Sequence, residues 1–146
     1  MSHSSLFLTA EQQQRILDAV KVAEQNTSGE IRVHIEERCA ETHVFDRASQ
    51  IFSQLAMEKT MLRNGVLFYL AYKDHKFAIV GDIGINSVVP ANFWDNIKVT
   101  MQIKFRSGNY TDGLCTGILM AGEQLRKHFP YQEDDINEIP DDISFG

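Results

Sequence analysis

Hydrophobic and polar positions alternate strictly through GEIRVHIEE, residues 29–37. Ile31, Val33 and Ile35 take one face, and Glu30, Arg32, His34 and Glu36 the other, which is the period-2 signature of a strand over 30–36. The polar row reads as the solvated side of an edge strand. Upstream, Thr9-Ala10-Glu11-Gln12 has capping-box spacing, and Ile16, Leu17, Val20 and Ala23 recur with helical period until Thr27-Ser28-Gly29. Helical spacing returns at 46–58 through Ala48, Ile51, Phe52 and Leu55. GVLFYLAY, residues 65–72, is apolar without interruption, so it predicts a central strand covered on both faces. Lys73-Asp74-His75-Lys76 then turns the chain back into FAIVGD, residues 77–82, as an antiparallel partner.

Pro90 suits the first turn of a helix whose face is Trp94, Ile97, Met101 and Phe105, ending at Ser107-Gly108 with Lys104 and Arg106 near its negative end. Thr111 is placed to cap a last helix through Leu114, Ile118, Ala121 and Leu125, which Pro130 stops. Gly113 and Gly117, four apart on it, predict close approach of a neighbouring backbone. The order is α-β-α-β-β-α-α. A strand–helix–strand crossover should be parallel and right-handed, so the long apolar strand sits between the other two. The fold class expected is α/β: a three-layer α/β/α sandwich on a small mixed sheet, Rossmann-like.

Strand direction sorts the polar residues between two sheet edges. One holds Glu30, Asn64, Asp82 and Asn86. The other holds Glu36, Glu37 and Asp74, with the turn Asn109 to Asp112 as a neighbour. Converging carboxylates suit hard divalent cations, calcium or magnesium, which take several oxygen ligands. Asp82, in VGDIGIN, is the leading candidate ligand, because it follows a buried strand directly and Gly81 and Gly84 let backbone crowd a ligand. The metal set expected is therefore Asp82, Glu30 and Asn64, with Glu36, Glu37 and Asp74 as the alternative edge.

Other chemistries lack their parts. GDIG has no third glycine and no crossover helix behind it, so it is not a dinucleotide fingerprint. His34 and Glu36 stand roughly 6.6 Å apart along the strand, but zinc needs three protein ligands. CAETHVF after Cys39 has no phosphate loop with its arginine, and Cys115 falls beside the apolar face of the last helix. No serine lies in a nucleophile elbow.

Length and charge narrow the picture further. At 146 residues the chain fits one domain over 1–130, with residues 131–146 as an acidic tail either packed on it or trailing. The net charge of −6 belongs to that tail, whose Glu133, Asp134, Asp135, Glu138, Asp141 and Asp142 face no Lys or Arg. The other 14 acids match the 14 bases. A neutral body with an acidic tail is a poor footprint for nucleic acid or an anionic membrane. Two cysteines imply no disulfide framework, and Leu6-Phe7-Leu8 is too short for a signal-peptide core. A cytoplasmic monomer with a protein partner is expected.

RNGVLFYLAYKDHKFAIVGDIGIN resembles the TPM domain family, sometimes called the TPM phosphatase domain. SGEIRVHIEERC, FWDNIKVTMQIKFRSGNYTDGL and FPYQEDDINEIPDDISFG extend the resemblance over nearly the whole chain. Its pattern is Asn64-Gly65 before a buried strand, a hairpin, Gly81-Asp82-x-Gly84, then a helix pair with F-x-x-G-x-Y at 105–110. The resemblance implies an α/β/α sandwich, and, from chloroplast members, a link to photosystem repair and acid phosphatase activity. It also implies calcium or magnesium binding through acidic loops. Three functions follow as expectations: a cation-binding domain, a metal-assisted phosphomonoesterase with Asp82 or His34 beside the ion, or an interaction module in repair or quality control. The last predicts an exposed apolar patch rimmed by charge.

Overall fold

A computed structural model describes residues 6–131 and 142–146. Helix α1 spans Ala10–Glu24, and its capping box is formed: Gln12 N donates to Thr9 Oγ1 (3.1 Å) and Thr9 N to Gln12 Oε1 (2.9 Å). Strand β1 covers Glu30–Glu36, helix α2 Val44–Gln54, a 3-10 turn Met57–Lys59 and strand β2 Gly65–Ala71. Strand β3 is Lys76–Gly81, α3 the single turn Ile83–Asn86, α4 Phe93–Arg106, α5 Tyr110–His128 and β4 Ile143–Phe145.

The sheet order is β3-β2-β1-β4, with β1 parallel to both β2 and β4 and β3 antiparallel to β2. Helix α2 covers one face, where Ala48, Ile51 and Phe52 meet Leu67, Tyr69, Ala71, Ala78 and Val80. Helices α1, α4 and α5 cover the other, over Ile31, Val33, Ile35, Val66, Phe68, Leu70 and Ile79. The sandwich and the central position of GVLFYLA are as the apolar pattern indicates, because β2 is buried at all seven residues. Of the Rossmann-like expectation, one parallel crossover is present, β1-α2-β2. The antiparallel β3 stands where a further parallel strand would.

Several expectations are corrected. β1 is not an edge strand, because Ile143–Phe145 pair with Val33–Ile35 and take the edge instead. Nor is its polar row a wet face: Glu30, His34 and Glu36 are all buried. Period 2 reports two different faces without saying that one is solvated. The acidic run from 132 to 141 lies outside the described residues, and the tail's last residues belong to the sheet. Thr111 does not cap α5; the N-cap is Asn109, and Thr111 lies one residue inside, buried. Pro90 sits before α4 in a turn, accepting a hydrogen bond from Phe93 N (3.0 Å). Gly113 and Gly117 admit the side chains of Phe105 and Met101 from α4, not a backbone.

Backbone contact occurs instead at Gly122. A Cβ there would stand 2.6 Å from both Cα and Cβ of Ala23, so its absence sets the spacing of α1 and α5. Gly122→Ala is expected to cost up to about 2 kcal/mol net, overpacking at ~1–3 kcal/mol being offset by the ~1 kcal/mol helix-propensity gain. Urea unfolding reads this as a lower midpoint at unchanged slope.

Candidate functional site

The two sheet edges singled out by strand direction are both built, but each differently from the expectation. At the carboxyl ends of β1 and β2, Glu36 is buried and held on every side. Arg47 of α2 forks onto it, Nε donating to Oε2 and Nη2 to Oε1, both at 2.9 Å. The Tyr69 hydroxyl donates to Oε2, and His34 Nε2 lies 3.3 Å from Oε1. His34 Nδ1 in turn is 2.6 Å from Ser144 Oγ on β4. A Cβ at Gly146 would fall 2.4 Å from Glu36 Oε1, so that residue closes over the cluster. Burial pushes the Glu36 carboxyl up, but hydrogen bonds from His34, Arg47 and Tyr69 outweigh it and bring it down to about 2. Burial and the neighbouring carboxylate push the Tyr69 phenol well above its ordinary value.

Glu37 and Asp74 lie near this cluster but outside it. Glu37 meets Lys73 at 3.4 Å. Asp74 accepts from Cys39 N at 2.7 Å and from Arg38 Nη1 at 2.9 Å, and those bonds hold its carboxyl below the usual range. The turn at 109–112 does adjoin this edge, through His75 Nδ1 and the Tyr110 hydroxyl, 3.1 Å apart.

At the opposite edge Asp82 caps α3, accepting from Ile83 N at 2.8 Å. Both its oxygens also receive Arg63, at 2.7 and 2.8 Å. The three residues proposed from sequence are linked through main chain: Glu30 N donates to Asn64 O (3.4 Å) and Asp82 N to Gly65 O (3.0 Å). All three are buried. Asn64 Nδ2 reaches Ser28 Oγ at 3.4 Å, and Asn86 donates to Gly81 O and accepts from Trp94. Among the described residues, no three of His, Cys, Asp and Glu are grouped as metal ligands would be. Asp82 and His34, the two candidates for a base, belong to different ends of the sheet. Asp82 adjoins the Glu30 end of β1, about 13 Å along the strand from His34.

Two arginines were missed. Arg47 stands one helical turn before Ile51, at the margin of the apolar face of α2, and that spacing was the available signal. Arg63 had none. It acts from a left-handed backbone, φ 51°, in a loop whose path the sequence does not specify.

The Glu36 cluster makes a direct prediction. Arg47→Met leaves a buried carboxylate without its main partner and is expected to cost about 3–5 kcal/mol. Because the folded carboxyl lies below its ordinary value of 4.5, its stabilising contribution is complete above that pH and is lost as the pH falls toward 2. Urea unfolding of Glu36→Gln across this range should show a shallower acid loss than the parent chain.

Among solved structures, the chain is similar to the BA42 protein of the psychrophilic bacterium Bizionia argentinensis, with 51% identity, 96% of each chain covered and a TM-score of 0.88. An N-terminal domain from P. gingivalis aligns at 20% identity and TM-score 0.71, over 86% of this chain and 83% of its own. The N-terminal domain of cg2496 from Corynebacterium glutamicum aligns at 10% and 0.65, over 81% and 74%. These last two share the fold alone. No curated protein matches. The profile of the TPM domain matches residues 2–124, and with that span covered the chain belongs to the TPM domain family.

Proposed function

We propose that this TPM domain is a protein-interaction module that docks its partner on the loop 60–63 and the turn 82–86. The observation that supports this is an apolar surface at a fixed place. Met61 is 87% exposed, Ile83 64% and Leu62 41%. The two segments carrying them are tied together by Gly84 N donating to Arg63 O (2.8 Å) and by the forked Arg63–Asp82 pair. Gly84 permits that contact, since a Cβ there would lie 2.1 Å from Leu62 O. Exposed apolar side chains on segments already ordered lose little entropy on binding, which is what a docking surface requires. A photo-crosslinker at position 61 is expected to capture one discrete protein partner in cells, and Ile83→Gln to abolish the adduct. No adduct, or one indifferent to Ile83→Gln, overturns the reading.

A second reading is a calcium or magnesium site of Asp82 with Glu30 and Asn64. It is supported by the main-chain links that bring these residues to one edge, and by Arg63, whose side chain is 41% exposed and so has room to leave Asp82 to an ion. The alternative set, Glu36, Glu37 and Asp74, has less support, because an ion there must displace Arg47 and Tyr69 from a buried carboxylate. A phosphomonoesterase would need a base beside the ion, and His34 is remote from Asp82. Titration with either cation, followed by amide NMR, should give saturable shifts around Asp82 that strengthen in Arg63→Gln and vanish in Asp82→Asn. Absence of saturable shifts at about 10 mM ion, where a Kd near 1 mM would be evident, removes the cation reading.

A further inference from the structure

Leu70 at the end of β2, Phe77 at the start of β3 and Phe105 in the last turn of α4 line a hollow of about 240 Å³. Its other walls are His75, Gln102, Arg106 and Tyr110. The aromatic lining is already arranged: Phe77 meets Phe105 edge-on with centroids 4.9 Å apart, and Phe105 lies against Tyr110 at 5.2 Å. A dry cavity of ~150 Å³ holds benzene, so this hollow has room for one ring and a head group.

Its polar groups have a definite character. His75 adopts φ 54°, an uncommon conformation for a residue with a Cβ, and its ring is fixed by Tyr110. Gln102 and Arg106 are exposed and stand one turn apart on α4. Arg106 makes no ion pair among the described residues, in contrast to Arg15, Arg38, Arg47 and Arg63. The end of α4 would oppose an anion, but the Lys104 and Phe105 carbonyls there are occupied by the amides of Ser107, Gly108 and Asn109. An apolar floor with a few convergent polar groups and an uncompensated guanidinium is the composition of a small-ligand pocket.

We propose that this hollow binds a small aromatic acid, its ring on Phe77 and Phe105 and its carboxylate or phosphate between Arg106, Gln102 and His75. The site is at the opposite edge of the sheet from Met61 and Ile83 and is independent of the docking surface. The experiment is a titration of the intact protein with benzoate, phenyl phosphate and uncharged benzyl alcohol, followed by NMR. At least one acid is expected to give saturable shifts at His75, Phe77, Gln102 and Tyr110, and the better of the two identifies the head group. Arg106→Gln, an exposed change that leaves the core intact, should weaken that acid ~10-fold, the effect of losing one charge-assisted contact. Benzyl alcohol binding as well as the acids, binding indifferent to Arg106→Gln, or no saturable shift from any probe at about 10 mM each overturn the proposal.

Discussion

The buried Glu36 carboxylate is the point to which four separate pieces of chain are tied. Its own strand supplies His34, β2 supplies Tyr69, α2 supplies Arg47, and β4 joins through Ser144. Removing such a charge from water costs several kcal/mol, which is recovered only when its hydrogen bonds are satisfied together. Arg47 satisfies both oxygens, and that forked geometry also fixes where α2 lies across the sheet. The crossover helix is held at one end by this ion pair and along its length by Ile51 and Phe52 against β2 and β3.

The elements were legible because their patterns are local. Continuous burial of Gly65–Ala71, the hairpin at 73–76, the capping box and the apolar faces of α4 and α5 follow from neighbours a few residues apart. The crossover pairing of β1 with β2 followed from its short connection, but the pairing of the far C-terminal segment was not legible. Ile143–Phe145 is too short to announce a strand, yet its arrival beside Val33 makes β1 an interior strand. The carboxylates were found, and their sorting to two edges was correct in placing Glu36 apart from Asp82. The arginines that occupy them were not found, since a guanidinium at the end of a long side chain reaches partners that sequence spacing does not specify.

The two edges thus differ in kind. Around Asp82 the charged pair is half-open and surrounded by exposed Met61, Leu62 and Ile83, so the chemistry offered to solvent is a surface. Around Glu36 the charges are enclosed, and the accessible space at that end lies on the other face, beyond Leu70, between the hairpin and α4. Ligand sites in α/β folds commonly lie at the carboxyl ends of the parallel strands, the end where this hollow opens.

Strand β4 has a consequence beyond the network it completes. Without it, the amides and carbonyls on the side of β1 away from β2, those of Val33 and Ile35 among them, would lack strand partners, a template for pairing with another molecule's strand. Three residues suffice to occupy the middle of that ladder, at Val33 to Ile35, and Gly146 N adds a hydrogen bond to Ile35 O at 2.9 Å. Residues 143–146 thereby cover an edge of the kind that invites strand-to-strand association when left open. The His34–Ser144 contact that ties them to the Glu36 cluster is one of the bonds holding that cover in place.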